Sequence, residues 1–394
     1  MLTLFKNDLA HELLKCLEQI QYGSIEIVLT SNEVKKITGL SAGPDCRIQV
    51  LNDNFLYSLL EKGDIGLGES YIEGHWETDD ISQVIEFGIK NKSALSKAIY
   101  GQLTSLFYYK IKHYFKRNSK TGSKKNISYH YDLGNNFYSL WLDPTMTYSS
   151  AYWGDDKSLT LSQAQEKKYQ TILDQIKPRP GARILEIGCG WGGFAEYAAK
   201  KGYHVTGLTL SQEQLRYAKE RLERQNLQTQ TELLLRDYRD HTGTYDHVVS
   251  IEMIEAVGES YWDSYFDKIK SFLTSGGSLA LQSILIDQQS FATYRKGTDF
   301  IQQYIFPGGM LPSLNILKDK ISSRGGQKIE VLSFGLDYAR TLKLWDDAFI
   351  EKAQTYSEQG FDKNFIRMWH FYLNYCEGAF KSGQTDVVIV SANL

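Results

Sequence analysis

The chain has 394 residues, 42% of them hydrophobic and 23% charged, with a formal net charge of −3. That length accommodates about two domains of the usual ~100–200 residues, each with a sizeable core, and the near-neutral charge excludes whole-molecule attraction to nucleic acid. Four cysteines, Cys16, Cys46, Cys189 and Cys376, show no C-x-x-C spacing, so neither a disulfide framework nor a zinc site is expected and no metal is assigned.

The N-terminal MLTLFKNDLAHELLKCLEQI breaks its apolar pattern with Asp8, Glu12 and Glu18 and lacks a signal-peptide core. No apolar run approaches the ~18 residues of a membrane span, and a cytoplasmic chain is expected. Residues 1–90 alternate strand-like runs, SIEIVL and CRIQVL, with the helical NFLYSLLEKG, which predicts a small α+β domain. Residues 91–125 form a basic, aromatic-rich segment and hinge. Between Glu86 and Asp132 there is no acidic residue, while Lys90, Lys92, Lys97, Lys110, Lys112, Lys116, Arg117, Lys120, Lys124 and Lys125 lie beside Phe107, Tyr108, Tyr109 and Tyr114. Such a stretch suits an anionic lipid surface, at about 1 kcal/mol per basic side chain, or it is a solvated helix face and linker. No nucleic-acid motif accompanies it.

From residue 126 to 394 strands and helices alternate: RILEIG, a helix, HVTGLTL, the helix SQEQLRYAKERLERQ, ELLLRDY, HVVSIEM, the helix SYWDSYFDKIKSFL and SLALQSI. This order predicts an α/β fold with a doubly wound parallel sheet and a ligand at the carboxyl ends of its strands. An insertion from about Asp287 to Asp362 interrupts the rhythm and is expected to be a lid. The helical RMWHFYLNYCEGAF and a last strand, DVVIVSA, follow it.

The most informative stretch is RILEIGCGWGGFA, from Arg183 to Ala195. A buried strand, a tight glycine turn and a helix start let backbone N–H groups approach a ligand with no side chain between. Gly188, Gly190 and Gly193 also satisfy the dinucleotide pattern G-x-G-x-x-G. The next strand, however, ends in Thr209 and Ser211 where a dinucleotide site needs an acidic residue for the ribose. The wording instead resembles motif I of class I S-adenosylmethionine (SAM) methyltransferases.

Further motifs carry a narrower resemblance: HYDLGNNFYSLWLD (130–143), MTYSSAYW (146–153), GLTLSQEQ (207–214), IEMIEAVG (251–258), YIFPGGMLPS (304–313), FGLDYARTLKLW (334–345) and RMWHFYLNYCEGAF (367–380), with GDIGLGESYIEGHWETDD (63–80) in the N-terminal domain. Jointly they resemble the cyclopropane fatty acid synthases and the related mycolic-acid methyltransferases. The resemblance implies a class I SAM-methyltransferase sheet with an insertion lid. It implies methylene addition from SAM across a cis double bond of an acyl chain in a membrane phospholipid, by a homodimer peripheral at the inner face of the membrane. A methyltransferase that leaves a methyl branch, and a catalytically silent SAM- or lipid-binding protein, remain as alternatives.

For SAM the expected contacts are the Gly188 and Gly190 turn, Thr209 and Gln214 near the ribose or carboxylate end, Asp237 and Tyr238 near the adenine, and Tyr148 with Ser149 as a cover. The resemblance also implies a bicarbonate ion at the reaction centre, held by a Cys, a Glu, a His, a Tyr and a backbone group. Glu255 and Tyr338 keep the expected types, and Ile284 supplies the backbone group. Ser150 stands where the Cys is expected, Gln282 where the His is, and Ala256 where a further His is. Ser and Gln still offer donors, but Gln cannot shuttle a proton as His can. Cys376 in YLNYC also matches a family position and is carried as an alternative nucleophile, although direct alkene attack on SAM needs none.

Overall fold

The computed structural model describes residues 13, 15–96 and 133–394, in two compact units. Of the described residues, the first unit takes 13, 15–96, 293–305 and 345–384, and the second takes 133–292, 306–344 and 385–394. The expected basic segment from Lys97 to Lys125 lies outside the described residues.

In the first unit, β1 (Tyr22–Val28), β2 (Val34–Thr38), β3 (Ser41–Val50) and β4 (Trp76–Glu77) form a sheet of order β2-β1-β3-β4. Along β3 buried and exposed residues alternate toward its end, the period-2 signature of a sheet with one face on the core. Helices α1 (Asn54–Lys62), α2 (Asp64–Ile72) and α3 (Ile81–Lys90) accompany it. Asp80 caps α3, its carboxylate accepting from Gln83 N at 3.1 Å.

In the second unit, the start of α4 (Leu161–Ile176) is fixed by a reciprocal capping box between Thr160 and Gln163. Then come β5 (Arg183–Ile187), α5 (Gly193–Lys200), β6 (His204–Thr209), α6 (Gln212–Arg224), β7 (Thr231–Leu235), β8 (Tyr245–Ile251), α7 (Trp262–Phe272) and β9 (Leu273–Ile286). Strands β10 (Gln327–Ser333) and β11 (Thr385–Asn393) complete a sheet of order β10-β11-β9-β8-β5-β6-β7. Strands β7, β6, β5, β8 and β9 run parallel, and β11 and β10 are added antiparallel. Ile184 to Ile187 are buried without a break, as a central strand covered on both faces requires. From α7, Trp262, Tyr265, Phe266 and Ile269 join Leu185, Val248, Leu279 and Leu281 of the sheet in one core.

This is the doubly wound sheet expected from the element order. The insertion differs, because its β10 pairs with β11 and is part of the sheet rather than of a lid. The block expected as continuous from 126 to 394 is also interrupted, since α8 (Gly335–Glu351) leads to α9 (Lys363–Ser382), which belongs to the first unit. The reason lies in α9's packing: at Gly378 an added Cβ would stand 2.5 Å from the Ser82 carbonyl oxygen, so glycine allows α9 to lie directly on α3. Arg367 of α9 stacks over the Tyr71 ring at 3.9 Å and pairs with Glu77 at 2.8 Å. No helix among the described residues is long and apolar enough to cross a membrane.

Candidate active site

A cleft opens at the carboxyl ends of β5, β6 and β8, where the strand order reverses and a doubly wound sheet places its ligand. Every residue expected to contact the cofactor lines it. Gly188 and Gly190, with φ of 84° and 49°, make the turn after β5. A Cβ at Gly188 would meet Met253 Cγ at 2.3 Å, whereas one at Gly190 would meet no protein atom within 4 Å. Thr209 donates its hydroxyl to Gln214 Oε1 at 3.0 Å, and Ser211 Oγ accepts from Gln214 N at 3.2 Å, so the start of α6 is tied to the end of β6. The Asp237 carboxylate accepts from Arg239 Nε at 2.8 Å and Nη2 at 2.5 Å. Asp237 thus borders the cleft as half of an ion pair. The Tyr148 ring packs against Tyr138 and Trp141 at 5.6 and 5.5 Å between centroids, which gives the cleft an aromatic wall.

Deeper in the second unit the expected anion-holding groups converge on a residue to which no role was given. Glu252 Oε1 accepts from Ser150 N at 2.8 Å and Gln282 Nε2 at 2.7 Å, and Glu252 Oε2 accepts from the Tyr338 hydroxyl at 2.7 Å. Glu255 Oε1 takes the Ile284 N–H at 2.6 Å, and its buried Oε2 has no hydrogen-bond partner. The Ser150 hydroxyl donates to Ala151 O at 2.9 Å and not into the centre. Where an enclosed oxyanion is expected, the donors are bonded to side-chain carboxyl groups of the chain. These residues do not fit a separate bicarbonate ion, because the backbone, amide and phenol donors expected to hold it are already bonded to Glu252 and Glu255. Ala256 lines the cleft without a polar side chain.

Two more ionisable groups were not singled out for a role. Lys168 on α4 is buried and donates to Ser149 Oγ at 2.7 Å. Burial pushes its ammonium down to about 7 against the pull of Glu252, Asp143 and Glu186. Glu186, buried on β5, is pushed up to about 8 by burial, with Lys168 opposing. Cys376 belongs to the first unit and does not line the cleft. Burial and the charge of Asp299 hold its thiol well above the usual range, the opposite of an activated nucleophile.

Glu255 gives a stability test. Burial, and then the Glu252 charge, push its carboxyl up to about 8. The folded protein keeps a proton that the unfolded chain releases near pH ~4.3. The stabilisation is complete below that unfolded value and is lost as pH rises toward about 8. Glu255→Gln removes the difference, so its unfolding free energy should fall less steeply from pH ~5 to ~8, by up to ~1.4 kcal/mol per pH unit. Urea unfolding curves across that range measure it, and parallel pH dependences would contradict the assignment.

Comparison with known proteins narrows the chemistry. Residues 118–390 match the family described as Mycolic acid cyclopropane synthetase. The chain is 37% identical over 335 residues to tuberculostearic acid methyltransferase UfaA1 of Mycobacterium tuberculosis, covering 82% of this chain and 78% of that protein. It is 35% identical over 384 residues to the cyclopropane-fatty-acyl-phospholipid synthase of Escherichia coli K12, covering 93% of each. Among solved structures, mycolic acid cyclopropane synthase CmaA1 complexed with SAH and CTAB matches with a TM-score of 0.64 and 31% identity, over 69% of this chain and 98% of that one.

Proposed function

The chain belongs to the mycolic acid cyclopropane synthetase family, and from that premise we propose that it adds a methylene group from SAM across a cis double bond of a phospholipid acyl chain, giving a cyclopropane. It is a SAM-dependent methyltransferase acting on lipid acyl chains, with the class I methyltransferase sheet. The particular product and the intact membrane phospholipid as substrate are our reading.

One observation carries it: the glycine-turn cleft and the buried carboxylate pair adjoin, with Glu252 lining the same cleft as Gly188, Gly190 and Tyr148. SAM supplies an electrophilic methyl group on a sulfonium. The alkene's electron pair forms a bond to that methyl carbon while the carbon–sulfur bond breaks, and a carbocation remains on the acyl chain. The aromatic wall around Tyr148 is suited to such a cation, since a ring face contributes about 2 kcal/mol to a desolvated positive charge. Loss of a proton from the added methyl then leaves the electron pair that closes the ring. The basic segment 90–125, read from its sequence, would bring the enzyme to the bilayer surface.

The similarity to a tuberculostearic acid methyltransferase favours a second reading, in which the same cation loses a different proton and a branch is left. Both readings require an alkene. With SAM and phospholipid vesicles, release of S-adenosylhomocysteine should therefore depend on cis-unsaturated chains and vanish with fully saturated ones. Equal release from saturated vesicles would defeat both.

A further inference from the structure

We propose that Glu252 is the chain's own proton acceptor, its carboxylate taking the place in which the family resemblance puts a separate bicarbonate ion. This rests on the carbocation chemistry above and goes beyond it by naming where the proton goes. The donor set is the first argument. Ser150 N, Gln282 Nε2 and the Tyr338 hydroxyl come from chain segments far apart in sequence and meet at one carboxylate, at 2.8, 2.7 and 2.7 Å. The remaining expected donor, Ile284 N, is taken by Glu255 at 2.6 Å. A second anion brought into this centre would face the Glu252 carboxylate and find these four donors already engaged.

The backbone is the second argument. Glu252 has φ of 51°, in the left-handed region that side chains other than glycine, Asn and Asp seldom adopt. Strain of this kind persists where the surroundings over-determine it, and it gathers at functional sites. Here it accompanies a side chain held by three hydrogen bonds at the end of β8. Glu255, raised to about 8 by burial and by Glu252, keeps its proton at neutral pH. Burial raises Glu252 as well, with Lys168, Tyr338, Ser150 and Gln282 opposing the rise.

In the step itself, a C–H bond of the transferred methyl breaks. Its electron pair forms the ring-closing carbon–carbon bond, and the proton passes to a Glu252 carboxylate oxygen, from which water later removes it. No further co-reactant is needed.

Two variants test the proposal in bicarbonate-free buffer, with wild-type protein alongside. Glu252→Gly suits the left-handed backbone and empties the carboxylate's place; Glu252→Gln fills it with a neutral amide. Both should bind SAM within about threefold of wild type by calorimetry. Both should lose at least about a hundredfold in S-adenosylhomocysteine release on cis-unsaturated vesicles, the range for removing a general base. Added formate or bicarbonate should restore part of the activity to Glu252→Gly, none to Glu252→Gln, and leave wild type unchanged. Uptake of ¹³C-labelled bicarbonate by protein loaded with S-adenosylhomocysteine, followed by NMR, reads the same question without turnover. Glu252→Gly should take it up and wild type should not. Wild-type uptake of bicarbonate, wild-type dependence on it, or activity of Glu252→Gln within about threefold of wild type would overturn the proposal. Absence of turnover by wild type on every unsaturated lipid, with no bicarbonate uptake, would count against the proposed reaction and not against the occupancy of this site by Glu252.

Discussion

Gly190→Val is expected to fold and to lose SAM affinity by at least about a hundredfold, about 2.7 kcal/mol of binding free energy. An added Cβ at Gly190 meets no protein atom within 4 Å, so the cost to the fold is mainly that of placing a branched side chain at a φ of 49°. Such strain is on the order of 1–3 kcal/mol, well inside the ~5–15 kcal/mol by which domains are stable. The space the side chain enters is the cleft itself, between Cys189 and Trp191. Gly188 is different, because its Cβ would strike Met253 Cγ at 2.3 Å and disturb the wall of the cleft directly. Calorimetry with SAM, and circular dichroism to confirm folding, decide the matter. Undiminished affinity in folded Gly190→Val would remove this cleft as the SAM site.

Lys168→Met is expected to move the acidic limb of the activity–pH profile upward, so that activity at the acidic end of the range falls relative to wild type. Lys168 is the buried cation whose charge favours ionised Glu252. Glu255, on the following turn, the Tyr338 hydroxyl, from α8, and Asp143 and Glu186, which act on Lys168, are the other titratable groups around the pair. Without the ammonium, Glu252 holds its proton to higher pH, and a protonated carboxylate cannot accept another. The sign is unambiguous: loss of a neighbouring positive charge raises a carboxylate pKa. Rates from pH 6 to 9 at saturating SAM measure the shift, and an unmoved limb would show that Lys168 acts on Glu186 or Asp143 instead.

The parts of the fold and site legible in the sequence were those encoded locally. The unbroken apolar run of β5 and the glycine turn after it announce a central parallel strand opening on a ligand, and Thr209, Gln214, Asp237 and Tyr238 follow at later strand ends of the same cleft. What was not legible depends on contacts distant in sequence. Glu252 was visible at the end of an apolar strand, three residues before Glu255, a position where parallel sheets carry ligand-facing side chains. Its partners Ser150 and Tyr338 are 102 and 86 residues away, however, and only the folded chain brings them together. Lys168 sits in the polar string LSQAQEKKYQ, which gives no sign that one lysine turns inward. The apolar face of α9 looks the same in sequence whichever unit it serves; the close approach at Gly378 assigns it to the first.

The central claim is that this chain modifies an acyl-chain alkene with a one-carbon unit from SAM. Its most direct measurement is mass spectrometry and NMR of cis-unsaturated phospholipid vesicles after incubation with the protein and SAM. The predicted result is a gain of one methylene per modified chain, loss of the olefinic protons and the appearance of upfield cyclopropane protons. A one-carbon gain with the double bond retained would contradict ring closure and favour the branching reaction, and unchanged lipid in the presence of bound SAM would contradict the claim itself.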